Sequence, residues 1–229
     1  MKRTPRHAPT ARTGLPDLRL RSSLRGRAFE LAAVLGTVLG FLLFGLSFLY
    51  IGTASIFWVT YVAVRYRWDR DVFERWGFRR EGLRRAAVLT LPFALIASAF
   101  CIVYAALWGE PVLNVHLPLL LLLYPPWGVV QQFLVLALGA ENMVAVSRGR
   151  IGEPAAVLIT AVGFAAIHAE DPRLVGATFF LGLVTTSVYF RTKNLWVPGI
   201  LHGWFATLFY FLVMGEDPWA ELVLAGLWL

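Results

Sequence analysis

The run from about Leu117 to Gly139 is apolar and long enough to cross a bilayer, yet it holds two adjacent carboxamides, Gln131 and Gln132, within Tyr124-Pro125-Pro126-Trp127-Gly128-Val129-Val130-Gln131-Gln132-Phe133-Leu134. Polar side chains at that depth find no bulk water, so they need partners on neighbouring helices or a wet cavity. The pair is therefore expected to point inward, and other segments must surround it.

Two stretches offer partners. Phe164-Ala165-Ala166-Ile167-His168 ends a later apolar segment, and Leu201-His202-Gly203-Trp204-Phe205-Ala206 lies within another. Three polar sites on three apolar segments predict one shared pocket, because each would be costly against lipid. The composition agrees with a membrane chain: 58% of the 229 residues are hydrophobic and only 15% charged. The net charge of +7 comes from arginines that flank apolar runs. That placement follows the positive-inside pattern and argues against a nucleic-acid partner. Cys101 is the only cysteine, which excludes an internal disulfide and a cysteine zinc cluster.

Read in order, residues 1–28 form a basic arm expected to be disordered and cytoplasmic, touching anionic headgroups. The apolar stretch after it is too long for an ordinary signal-peptide core. Residues 29–65 are expected to hold two short or tilted spans divided near Tyr50-Ile51-Gly52-Thr53. An even number of crossings puts the block from Arg65 to Arg85 on the same side as the arm. Residues 66–85 place Trp68, Val72 and Trp76 at i, i+4 and i+8 among charges, the pattern of an amphipathic interfacial helix.

Residues 86–214 form a transmembrane core. Its spans are Ala86 to Leu107, a fourth carrying the Gln pair, Ala155 to His168, Leu174 to Phe190 and Leu195 to Met214. Pro125-Pro126 is expected to interrupt the fourth, with helix starting anew at Pro126. Residues 215–229 form a tail whose apolar part is too short to span. The fold class is all-α, a polytopic transmembrane helical bundle of about seven spans plus a short C-terminal apolar segment.

His168 and His202 are the candidate proton carriers, since neutral imidazole titrates in the useful range. The plainer alternative for His168 is an interfacial residue bonded to a loop carbonyl; for His202, which sits about two turns into its span, it is a bond to neighbouring backbone. His-Glu-x-x-His, Gly-x-Ser-x-Gly and phosphate-binding loops are absent, and Gly45-Leu46-Ser47 lacks the glycine of a rhomboid-type serine motif.

The order of these segments resembles the CPBP family of intramembrane proteases, which includes CAAX prenyl endopeptidases and bacteriocin-processing or immunity proteins. The resemblance covers roughly residues 85–214, and Trp76-Gly77-Phe78-Arg79-Arg80-Glu81-Gly82-Leu83-Arg84 looks like the region preceding that core. The family's first motif, Glu-Glu-x-x-x-Arg, falls on Gln131, Gln132 and Leu136. Its second, Phe-x-x-x-His, is complete at Phe164 and His168, and its third keeps His202 but has Ala206 for the usual Asn or Asp.

In the mechanism that the resemblance implies, a glutamate and a histidine activate water while the other histidine and the asparagine stabilise the oxyanion. A carboxamide can position water but cannot deprotonate it near neutral pH. Glu141, about 13 Å beyond Gln132 along a helix, is a poor replacement, and Glu170 and Asp171 are better placed to cap the next helix.

The resemblance implies an intramembrane endopeptidase acting on a peptide or protein substrate. Gln131, Gln132, His168 and His202 are the candidate catalytic residues, and Phe164 and Trp127 the candidate binding residues. No metal and no cofactor are expected. The rival readings are a catalytically inactive relative that binds a peptide, lipid or partner helix, and a small transporter component. The expected location is the lipid bilayer of a bacterial inner membrane, with the N-terminus cytoplasmic.

Overall fold

A computed structural model describes residues 24–45, 47–169 and 171–219. Among these the chain is helical, without strands. The helices are α1 (Leu24–Phe44), α2 (Phe48–Trp68), α3 (Val72–Arg75), α4 (Leu83–Leu107), α5 (His116–Gln132), α6 (Glu141–Val146), α7 (Glu153–Ala166), α8 (Pro172–Thr192) and α9 (Trp196–Phe209). A π-helical stretch, Phe133–Ala140, joins α5 to α6, and a second, Tyr210–Met214, extends α9.

Five continuous helices are long and apolar enough to cross a membrane: Leu24–Phe44, Leu83–Leu107, His116–Val146, Pro172–Thr192 and Trp196–Met214. The protein is an integral membrane protein with an all-helical bundle. The 14-residue α7 is apolar but, at roughly 1.5 Å per residue, shorter than a hydrocarbon core of about 30 Å. Large apolar side chains face outward along these helices, Leu35, Leu39 and Leu42 on α1 and Leu91 and Leu95 on α4 among them. In water such a surface would aggregate; in a bilayer it is the solvated face.

The tightest packing is between α5 and α9. A Cβ on Gly203 would lie 2.5 Å from the Pro125 Cα, and one on Gly128 would lie 2.4 Å from the Gly199 carbonyl oxygen. Gly199 and Gly203 are one helical turn apart, so their bare backbones form a continuous surface on which α5 lies.

This contact also explains why α5 runs unbroken through Pro125 and Pro126, against the expected fresh start at Pro126. Pro125 cannot donate to the Leu121 carbonyl, and the Trp204 indole N–H does so instead, at 2.8 Å.

The basic residues gather at one end of the bundle. Arg79 donates to the carbonyls of Thr192 and Lys193, and Lys193 pairs with Glu141 at 3.2 Å. Glu30, 3% exposed on α1, accepts from Asn142 at 2.7 Å and from the Tyr61 hydroxyl, with Arg65 at 3.8 Å. Charges this deep need such partners, and the network ties α1 and α2 to α6. At the other end, Arg173 reaches the Val213 carbonyl, and Asn114 donates to Asp217.

Other expectations need correction. The chain turns at Gly45, in the left-handed region at φ 59°, and resumes helix at Phe48, so the first two helices divide there and not at Tyr50–Thr53. Residues 24–28 are already helix, because Leu24 and Ala28 continue the apolar face of α1. The expected interfacial helix over 66–85 reduces to the single turn of α3. Val72 and Trp76 are buried against Phe133 and Tyr189 in the core of the bundle. The rest of the arm, Glu170 and the tail beyond Trp219 lie outside the described residues.

Gly203→Ala is expected to destabilise the detergent-purified protein by about 1–3 kcal/mol, the usual range for overpacking. Gly36→Ala, where a Cβ meets nothing within 4 Å, should leave it unchanged. Thermal or denaturant unfolding of the two variants checks this.

Candidate active site

Gln132 ends the α-helical part of α5 and is fully buried, while His202 lies a third of the way along the length that carries it and is 6% exposed. The backbone contact at Gly128, Gly199 and Gly203 sets the separation of the two helices. At that separation Gln132 Nε2 and His202 Nδ1 are 3.1 Å apart. An amide nitrogen can only donate, so Nδ1 accepts and the ring proton of neutral His202 sits on Nε2.

Phe164 and His168 come from α7 and the turn that follows it. The Phe164 ring meets both imidazoles edge-on, with centroids 5.3 Å from His168 and 5.3 Å from His202. His168 Nδ1 donates to the Phe164 carbonyl at 2.9 Å, which leaves its Nε2 as the unprotonated nitrogen. The two histidines thus have opposite tautomers, one presenting an N–H and the other a lone pair. The acceptor is the helical Phe164 carbonyl four residues back, not the loop carbonyl of the plainer reading, and this bond fixes the ring.

The apolar frame is supplied by Ala97 and Cys101 of α4, Leu181 of α8, and Leu201 and Phe205 of α9. Gly182 of α8 lets that helix close on Ala161 and Phe164. In such a setting polar atoms without partners are costly. The side-chain oxygens of Gln131 and Gln132 are both buried and have no hydrogen-bond partner among the described residues.

Gln132, Phe164, His168 and His202 are therefore brought into one contiguous group by a hydrogen bond and ring contacts. Gln131 is partly buried beside it. Trp127, one turn before Gln131, is 43% exposed and makes no ring contact with Phe164, His168 or His202. Leu136, where the family arginine falls, is fully buried among apolar residues near Trp76 and Phe133.

Among the described residues, Glu141 and Asp171 are both committed to other partners. Glu141 accepts from the Tyr189 hydroxyl at 2.7 Å and pairs with Lys193. Asp171 caps α8 through the Arg173 N–H, and the bonded Arg173 guanidinium holds its carboxyl below the usual carboxylate range. Among the described residues no three His, Cys, Asp or Glu side chains converge as a metal site would require.

Two contributions were not extracted from the sequence. Gly199-Ile200-Leu201-His202-Gly203 is a small-xxx-small motif, readable as a close helix contact that embraces the histidine. The indole of Trp204 as the substitute donor for Pro125 has no sequence signal, because its partner carbonyl is on another helix.

Residues 128–208 match the family model described as type II CAAX prenyl endopeptidase Rce1-like. Over this segment the chain is similar to that family. The match begins at Gly128, where α5 touches α9, and contains Gln131, Gln132, Phe164, His168 and His202. It agrees with the resemblance to the CPBP proteases drawn from motif order. No curated protein and no solved structure matches the chain.

Gln132→Leu keeps the volume but removes the donor to His202, leaving a buried ring nitrogen unpaired. A loss of about 1–3 kcal/mol is expected. Trp127→Leu should cost far less, and unfolding of the two variants side by side checks the contrast.

Proposed function

We propose that this CAAX-protease-like membrane protein is an intramembrane endopeptidase in which the two histidines divide the work. The observation that carries the proposal is the opposite tautomers enforced by Gln132 on His202 and by the Phe164 carbonyl on His168. Water attacks the scissile carbonyl carbon and gives its proton to His168 Nε2. The carbonyl oxygen, now carrying the charge, accepts from His202 Nε2–H. The carbon–nitrogen bond then breaks, and the proton on His168 passes to the leaving amine. Gln132 holds His202, and Gln131 offers its oxygen and amide to water or to a peptide carbonyl.

A second reading is favoured by one specific feature, the carboxamides where the family has carboxylates. Without a strong base beside the water, the same pocket can hold a peptide, a lipid tail or a partner helix without cleaving it. The expected enzyme is slow, since positioned acid–base groups contribute about 100-fold to 10,000-fold and one of them is lost. The location that fits this reading is a bacterial inner membrane with the basic end in the cytoplasm.

Incubation of the detergent-purified protein with a mixed peptide library is the test. Cleavage that falls about 100-fold or more in both His168→Ala and His202→Ala is expected if the histidines act as assigned. A folded, monodisperse wild type that cleaves nothing overturns the enzyme reading. Cleavage gained by the Gln131→Glu, Gln132→Glu double variant would then identify a binding protein built on a protease scaffold.

A further inference from the structure

At the basic end of the bundle, between the start of α1 and the turn joining α6 to α7, lies a cavity of about 680 Å³. Arg25, Arg148 and Arg150 supply its charged wall, and Leu24, Val146 and Ile151 are among its apolar residues. Among the described residues no acidic residue lines it. The acid nearest in sequence to the turn, Glu153, starts α7 outside the lining.

Three other cations at this end are engaged within the protein. Arg65 and Lys193 each face a carboxylate, and Arg79 is satisfied by two carbonyls. Arg148 and Arg150 donate backbone N–H groups to Ala145 and Ser147, and the side chains of Arg25, Arg148 and Arg150 make no ion pair with another described residue. Three arginines in the lining of one cavity suit an anion. A phosphate suits them, because its oxygens take paired N–H donors in the fork geometry of arginine.

The apolar wall identifies the kind of phosphate. Leu24 and Ala28, both in the lining, share a helical face with Leu35, Leu39 and Leu42, and the last three are exposed by more than half. A stripe of exposed leucines thus leads from the cavity down the outside of α1, where acyl chains can lie. A free phosphate would use the arginines and leave this stripe unused.

We propose that the cavity binds the headgroup of an anionic phospholipid, with Arg25, Arg148 and Arg150 on its phosphate and its acyl chain along α1. The site is separate from the Gln132–His202 group and independent of whether that group cleaves peptides. Basic pockets at a membrane surface are suited to this task, and each arginine contributes attraction that salt weakens.

The test uses the full chain, delipidated and reconstituted in phosphatidylcholine nanodiscs with or without phosphatidylglycerol. Retained phosphatidylglycerol is counted by native mass spectrometry after release into detergent. The triple variant R25Q/R148Q/R150Q should retain at least about tenfold less than wild type, and about 100-fold less if the three phosphate contacts add. R80Q/R84Q/R85Q removes the same charge from exposed residues at the same end and should lose less than about twofold, because it leaves the cavity intact. Should the first triple not fold, R148Q/R150Q, confined to the exposed turn, is read against the same control.

Equal losses in the two triples would mean diffuse surface charge and overturn the proposal, as would no loss in either. Inorganic phosphate titrated into pure phosphatidylcholine nanodiscs should not raise the melting temperature. If it stabilises as strongly as phosphatidylglycerol, and through the same three arginines, the ligand is free phosphate and the lipid assignment fails.

Discussion

Between apolar helices in a bilayer the hydrophobic effect supplies no force, since lipid tails are as apolar as leucine; what remains is close packing and hydrogen bonding. In this protein both are concentrated where α5 crosses α9. Gly128, Gly199 and Gly203 put bare backbone at the crossing, and the Trp204 indole bonds to Leu121 across it. The backbones then approach closely enough for Gln132 to reach His202. A larger residue at any of the three glycines would move the two helices apart and separate the pair. Beyond the crossing both helices loosen into π-helical geometry, a local change common next to functional sites, and this re-aims the residues that follow.

The distribution of charge follows a similar economy. Glu30 and Glu141, the acidic residues nearest the membrane interior at the basic end, are each held by a tyrosine hydroxyl and a cation. Asp171 at the opposite end is committed to Arg173. The interior site is left with neutral groups only, two imidazoles and two carboxamides, and this limits what it can do. Neutral imidazoles of opposite tautomer can pass a proton and hold an oxyanion without placing a net charge in the bilayer. They cannot match the driving force of a carboxylate base. The match to type II CAAX prenyl endopeptidase Rce1-like proteins over residues 128–208 therefore coexists with a site whose chemistry has been altered.

Much of this was legible in the sequence, for physical reasons that can be named. A carboxamide in an apolar run has one affordable direction, and Gln132 is indeed fully buried. The Phe-x-x-x-His spacing puts ring and imidazole on one helical face, where they are found in contact. The Pro125-Pro126 pair misled, because the donor that compensates for Pro125 comes from a helix some eighty positions later and no local rule contains it. The stretch 66–85 misled differently. Its i, i+4, i+8 pattern marks a buried face, but periodicity alone does not say whether the face meets lipid headgroups or, as Val72 and Trp76 do, the core of the bundle. The turn between α1 and α2 was misplaced by a few residues because Gly45 and Gly52 are equivalent as sequence signals, and only the former adopts positive φ.

The central claim is that Gln132 and the Phe164 carbonyl fix His202 and His168 in opposite tautomers. Nitrogen-15 NMR of the histidine-labelled protein at neutral pH reads this directly, with His168→Gln and His202→Gln variants assigning the signals. The account predicts a proton on Nε2 of His202 and on Nδ1 of His168, with the His202 pattern lost in Gln132→Leu. Identical tautomers at the two sites, or a His202 signal indifferent to Gln132, would contradict it.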